Sequence, residues 1–326
     1  MSPPNPPYAT EIRRYGKDAI EAAARLVRQG LPVAVPTETV YGLAADATDG
    51  EAVARIYEAK GRPAFNPLIV HVRDLAQAET LGCFSDAARA VAKSFWPGAL
   101  TLVVPSRPGS GIAALATAGL DSIALRCPRH EVIQALLAET GRPLAAPSAN
   151  LSGGISPTTA QHVLKTLGGR IPLIIDGGPT ALGIESTIVS FAGGKLRLLR
   201  PGPVDFPEVA AAAGLTGDTA ASGKVEAPGQ LPSHYAPSKP LRLEARSAAP
   251  DEWLIGFGEV PGDDSLSPSG DLVEAAARLF DALHRAEASA NSTISVAPVP
   301  ETGVGAAIND RLRRAAAPRP PKPNLG

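Results

Sequence analysis

Asp18-Ala-Ile-Glu-Ala-Ala-Ala-Arg-Leu-Val-Arg-Gln29, then Gly30, then Leu31-Pro-Val-Ala-Val35 sets the pattern for the chain: a helix, a stop and a strand. Ile20, Ala24 and Val27 recur at helical spacing, and Gly30 ends the run. The polar segment Pro36-Thr-Glu-Thr-Val-Tyr-Gly-Leu43 follows where that strand ends. A second helix is expected over 51–59. It leads through Lys60-Gly-Arg-Pro-Ala-Phe-Asn-Pro-Leu68 into a strand over 68–72.

The alternation continues outward. Helices are expected at 86–95, 131–139 and 158–167, and strands at 99–104, 122–126, 144–146 and 172–175. A hairpin joins 186–191 to 196–199. Crossover helices combined with a closing hairpin predict an α/β domain with a twisted mixed sheet and flanking helices. From about 216 to 239 the composition shifts to Gly, Ala, Ser and Pro without periodicity, which reads as a linker. Beyond it, strands at 241–243, 253–257 and 293–296 and helices at 272–288 and 306–314 predict a small Rossmann-like α/β C-terminal domain. The expected organisation is a disordered start (1–11), a catalytic domain (12–206), a linker (207–239), the small domain (240–314) and a disordered tail (315–326).

At 326 residues the chain exceeds what one core usually supports, in keeping with two domains. Lys and Arg number 31 against 32 Asp and Glu, so no whole-molecule field gathers nucleic acid or an acidic membrane, and any anion site is local. Cys83 and Cys127 are too few for a disulfide framework, and Cys127 reads as a small reduced core residue. No run approaches the roughly 18 apolar residues of a membrane span, and the start lacks a secretory signal pattern, so the expected location is cytoplasmic. No His or Cys cluster has metal-ligand spacing. Gly303-Val-Gly305 lacks the third glycine of a dinucleotide loop and reads as a turn before the last helix.

Lys60, Arg62 and Asn66 share a proline-stiffened loop between a helix and a strand. Such a loop fits a polyphosphate, because Arg offers planar multidentate donors and Lys a compact charge; a solvated basic loop reads the same way. Thr37, Glu38 and Thr39, and Pro147-Ser-Ala-Asn150, stand at strand ends, where α/β proteins bind ligands and where turn formers and caps also collect. His71 and Arg126 each end a strand.

Six segments, in order, resemble the motifs of the YrdC-like threonylcarbamoyl-AMP synthase family: Pro36-Thr-Glu-Thr-Val-Tyr-Gly-Leu43, Lys60-Gly-Arg-Pro-x-x-Asn-Pro-Leu68, Ser122-Ile-Ala-Leu-Arg-x-Pro128, Pro147-Ser-Ala-Asn150 with Ser152-Gly153, Glu185-Ser-Thr-Ile-Val189 and Leu199-Arg-Pro-Gly202. The family's long form is matched further by Pro228-Gly229, His234-Tyr-Ala-Pro237 and Gly303-Val-Gly-Ala-Ala-Ile-Asn-Asp-Arg-Leu312. Gln230 stands where the family usually has Met, and Ser233 where a basic residue is common.

The resemblance implies a YrdC-like fold and the joining of L-threonine, bicarbonate and ATP into threonylcarbamoyl-AMP and pyrophosphate, with Mg2+ held mainly by the ATP phosphates. By the same resemblance Lys60, Arg62, Asn66, Ser122, Asn150, Ser156 and Arg200 hold ATP, and Lys60 and Arg62 are catalytic. His234 and Tyr235 cover the nucleotide from the linker, and Thr39, His71, Arg126, Ser148 and Ser186 hold L-threonine. The product passes to the transferase complex that modifies tRNA, without stable tRNA binding by this chain. Three rival readings are a double-stranded RNA-binding module, disfavoured by the net charge of -1, carbamoyl transfer from carbamoyl phosphate, whose acylphosphatase and zinc-finger segments are missing, and residues 241–326 as a mere interaction domain.

Overall fold

The computed structural model describes residues 7–219, 226–230 and 233–318. They fall into two compact units. One takes the chain up to Ser152 and from Ser156 to Gln230, and the other takes Gly153–Ile155 and the chain beyond Gln230.

The first unit runs β1 (Glu11–Arg14), α1 (Lys17–Arg28), β2 (Val33–Pro36), β3 (Tyr41–Asp46), α2 (Gly50–Lys60), β4 (Ile69–His71), α3 (Leu75–Leu81), α4 (Asp86–Phe95), β5 (Leu100–Pro105), β6 (Ser122–Arg126), α5 (Glu131–Thr140), β7 (Leu144–Ala145), α6 (Ala160–Leu167), β8 (Leu173–Asp176), β9 (Thr187–Ser190), β10 (Leu196–Arg200), α7 (Phe206–Ala213) and β11 (Gly217–Asp218). Its strands form one mixed sheet in the order β1-β8-β2-β3-β7-β4-β6-β5-β9-β10-β11.

The two faces of this sheet are covered differently, and that difference makes the site. One face carries Leu68, Val70, Leu102 and Leu125, buried under apolar residues of α2, α3, α4, α6 and α7. On the opposite face α1 and α5 cover only β8, β2, β3 and β7, through Ile20, Val27, Ile133 and Leu137. Past that cover, β4, β6, β5 and β9 present a small apolar patch of Ile69, Ala124, Val103 and Ile188. Side chains alternate along strands, so His71, Arg126 and Thr101 stand on this same face as Ile69, Ala124 and Val103.

Several expectations are corrected. The polar segment expected after β2 leads straight into a further strand: β3 folds back antiparallel on β2, with Val35 opposite Gly42. The Thr37 hydroxyl turns the chain by accepting from Thr39 N and Val40 N, after which Tyr41, Leu43 and Ala45 supply core positions. Residues 7–11, expected to be disordered, are tied down: Thr10 Oγ1 donates to Ile171 O at 2.6 Å, and β1 pairs parallel with β8 from Glu11 on. The polar run Glu-Ile-Arg-Arg gave no local sign of that pairing. The segment 207–239 is not all linker, since it contains α7 and β11, the latter pairing parallel with β10. Residues 1–6, 220–225, 231–232 and 319–326 of the expected start, linker and tail lie outside the described residues.

The second unit contains β12 (Leu241–Arg242), β13 (Glu252–Gly256), β14 (Asp264–Ser265), α8 (Leu272–Ala288), β15 (Thr293–Val296) and α9 (Gly305–Ala316). Its sheet, in the order β12-β15-β13-β14, is parallel throughout. Asp271 starts α8 by accepting from Val273 N and Glu274 N. Gly303, with φ 53, forms the turn before α9. Cys127 is buried, with its thiol pushed up to about 11 by burial, and Cys83 is exposed; neither is in a disulfide. Among the described residues no helix is long and apolar enough to cross a membrane, and no group of three or more His, Cys, Asp or Glu could hold a metal ion.

Candidate functional site

Helix α2 is built to deliver its last residue. Asp49 caps its start by accepting from Glu51 N and Ala52 N, and Gly61, with φ 58, ends it in a left-handed turn that favours glycine. Lys60 is thereby turned inward. Its Nζ donates to Ser148 O at 2.6 Å and Asn150 O at 2.5 Å, tying the loop after β7 to the end of α2. Burial, with Arg62 as a second cause, holds the Lys60 ammonium well below its usual range. Arg62 folds back on its own loop, donating from Nε to Asn66 O and from Nη2 to Pro67 O. The Asn66 side chain is 1% exposed, yet its Oδ1 and Nδ2 have no hydrogen-bond partner among the described residues. A buried amide left so costs a few kcal/mol unless a ligand completes it.

Arg126 is the second centre. Nε donates to Gly98 O at 3.2 Å, Nη1 donates to Thr39 Oγ1 at 2.9 Å, and Nη2 pairs with Glu38 Oε1 at 2.7 Å. Burial pushes the Glu38 carboxyl up, but the Arg126 guanidinium outweighs it and holds the group below the usual carboxylate range. His71 lies opposite Arg126 in the parallel β4–β6 register. Burial first and Arg126 second push its imidazole down to about 3, so it is neutral at pH 7, and its Nδ1 is buried without a partner among the described residues.

The third group sits at the start of β9. The Ser186 hydroxyl lies 2.8 Å from Thr101 Oγ1 and accepts from Arg200 Nη2, while Arg200 Nε donates to Ser186 O. Arg200 Nη1 also donates to Pro228 O, and Gln230 Oε1 closes that turn by accepting from Glu226 N and Ala227 N. Ser156 Oγ is 2.5 Å from Glu185 Oε1, so the carboxylate before Ser186 holds the loop that carries Ser156. Gly202 lets β10 leave past β9, since a Cβ there would meet Thr187 N at 2.3 Å and Ser186 C at 2.7 Å.

Of the residues expected from sequence, Lys60, Arg62, Asn66, Ser148, Asn150, Thr39, His71, Arg126, Ser186 and Arg200 fall into these linked groups. Ser148 also bridges to Gly42, and Ser122 stands half-buried at the start of β6, two residues before Ala124 on the same face. His234 and Tyr235 belong to the second unit. There the two rings are 4.1 Å apart, and the Tyr235 ring lies 5.7 Å from Phe280 and 5.3 Å under the Arg311 guanidinium. Glu38, Thr37 and Glu185 stand in the quoted motifs without a role, while Thr101 gives no signal, because its partner Ser186 lies 85 residues away.

A family model for Sua5/YciO/YrdC proteins, described as telomere recombination, matches residues 25–202, and one described as the threonylcarbamoyl-AMP synthase C-terminal domain matches 203–317. The threonylcarbamoyl-AMP synthase of Bacillus subtilis is 42% identical over 92% of this chain and 93% of its own length. That of Pyrococcus abyssi is 40% identical over 92% and 94%. A crystal structure of P. abyssi Sua5 complexed with L-threonine superposes with a TM-score of 0.85 at 37% identity, covering 94% of this chain and 97% of that one. Matched in both units and across nearly its whole length, the chain belongs to the threonylcarbamoyl-AMP synthase family, in the long form with a C-terminal domain.

Proposed function

We propose that this enzyme condenses L-threonine, bicarbonate and ATP into threonylcarbamoyl-AMP and pyrophosphate, the adenylate later used to modify tRNA. The observation that carries the reading is a pair of half-made sites in the first unit. The Asn66 amide is buried and unpartnered beside Lys60 and Arg62, and His71 Nδ1 is buried and unpartnered beside Arg126. The names of the relatives, and the L-threonine held by the P. abyssi protein, support it.

On this reading Lys60, Arg62 and Asn66 bind the ATP phosphates, with Ser122, Asn150, Ser156 and Arg200 completing the nucleotide site. Arg126 takes the L-threonine carboxylate, and neutral His71, Thr39, Ser148 and Ser186 orient its amine and hydroxyl. His234 and Tyr235 also act on the nucleotide. The threonine amine and bicarbonate form a carbamate with loss of water. A carbamate oxygen then bonds to the α-phosphorus as the bond to the β-phosphate oxygen breaks, and pyrophosphate leaves with that electron pair.

Two anions about 4 Å apart repel by roughly 4 kcal/mol at an effective dielectric near 20, and the cations Lys60 and Arg62 offset this. The donor set fits Mg2+ carried on phosphate, since cations and amides dominate it and Glu185 is the acid bonded to one of its members, Ser156. Such an ion supplies charge neutralisation on the phosphates. No covalent enzyme intermediate is needed, because positioning and electrostatics suffice. The product, a mixed anhydride, is handed to the tRNA-modifying transferase, and the work is cytoplasmic.

The test is pyrophosphate release from ATP and Mg2+ with each co-substrate omitted in turn, followed by mass analysis of the nucleotide. Release that needs both L-threonine and bicarbonate and yields a threonylcarbamoyl-AMP mass is the expected result. Release independent of threonine, or none from folded protein, would reject the reading.

A further inference from the structure

We infer that Glu38 is the positioning residue of the amino-acid subsite: it fixes the Arg126 guanidinium in the orientation that receives the ligand carboxylate. The inference rests on the proposed function, which places that carboxylate on Arg126.

Arg126 extends from the last residue of β6 over the part of the face that α1 and α5 leave uncovered. A long cation there has several rotamers unless something fixes it. Each nitrogen is held by a different residue: Nε by the Gly98 carbonyl before β5, Nη1 by the Thr39 hydroxyl and Nη2 by Glu38 at 2.7 Å. Two of these three come from the turn between β2 and β3, and that turn is itself rigid. The Thr37 hydroxyl accepts from Thr39 N and Val40 N, and the Glu38 carbonyl accepts from Leu182 N at 2.8 Å. Arg126 is the cation paired with the Glu38 carboxylate, and the backbone N–H groups of Glu38 and Arg129 add to holding that carboxylate in its charged form.

Glu38 has two opposing effects on an incoming carboxylate. As an anion it cancels part of the field of Arg126 and should weaken binding; as a tether it pre-aligns the guanidinium and should strengthen binding. The burial of both partners and the tethering of all three nitrogens favour the second. The Arg126 carbon stem also runs beside His71, so an untethered guanidinium would lose its register with that ring as well.

The experiment is calorimetric titration of the full-length protein with L-threonine and, separately, with ATP, for wild type, Glu38→Gln and Glu38→Asp. Gln keeps the size and an acceptor but removes the charge; Asp keeps the charge but draws it back by one methylene. The expected result is an L-threonine Kd raised about tenfold or more in both variants, with the ATP Kd within about twofold and melting temperatures close to wild type. Threonine binding unchanged or tighter in a folded variant overturns the positioning role, since charge cancellation alone predicts that outcome. A parallel loss of ATP and threonine affinity overturns it in favour of a structural role. Should Glu38→Gln not fold, Glu38→Asp decides by the same criteria. Wild type that binds no L-threonine would reject the underlying functional reading instead, and this inference with it.

Discussion

Replacing Lys60 with Met removes an ammonium while keeping the buried stem. In the fold, two charge-assisted hydrogen bonds, to Ser148 O and Asn150 O, are lost. Each is worth about 1.5–3 kcal/mol, but burial already disfavours this cation, so the loss is largely offset and the net cost is about 1–2 kcal/mol. The effect on catalysis is larger. One unit charge about 4 Å from the reacting phosphates at an effective dielectric near 20 contributes roughly 4 kcal/mol, which is about three decades in rate. Lys60→Met is therefore expected to keep a cooperative thermal transition a few degrees below wild type and to lose roughly a thousandfold in pyrophosphate release at saturating L-threonine and bicarbonate. Turnover within about tenfold of wild type, from protein shown to be folded, would refute the assignment of Lys60 to the phosphates.

Three further outcomes follow from the geometry. His71 is neutral in the fold and its pKa is lowered from 6.5 to about 3, so the unfolded chain takes up a proton that the folded chain refuses as pH falls below 6.5. Stability falls over that window, by about 2 kcal/mol between pH 6.5 and 5, and urea unfolding at the two pH values should show this drop in wild type beyond that in His71→Gln. Gly202→Ala drives a Cβ to 2.3 Å from Thr187 N and 2.7 Å from Ser186 C, both backbone atoms that cannot swing aside. It should destabilise by about 1–3 kcal/mol in denaturant melts and raise the KM for L-threonine through displaced Ser186. Asp49→Ala removes the cap from α2 and should cost about 1 kcal/mol in thermal unfolding while leaving kcat within about twofold, because Lys60 is held at the far end by its own bonds.

The sequence alone determined what local periodicity can encode. The helices at 86–95 and 272–288 and the strands at 122–126 and 293–296 lie where their spacing put them, because amphipathic period and a flanking cap or stop act within a few residues. The YrdC-like motifs, being contiguous, pointed to the family that the comparisons show. The tertiary structure decided what depends on pairing between distant segments. Glu-Ile-Arg-Arg became β1 only because β8, more than 150 residues on, offered a parallel edge. Val40-Tyr-Gly-Leu became the bend into β3 because β2 and β7 receive it on either side.

The site divides in the same way. Lys60, Arg62 and Asn66 share one loop and could be grouped by eye, but the tether of Arg126 by Thr39 spans 87 residues and the link of Thr101 to Ser186 spans 85. Strand register sets those pairs. A shift of one residue would turn Arg126 to the opposite face among the apolar residues under α2–α4, and no property of Ser122-Ile-Ala-Leu-Arg126 by itself says which face is left open. That was fixed by where α1 and α5 stop covering the sheet.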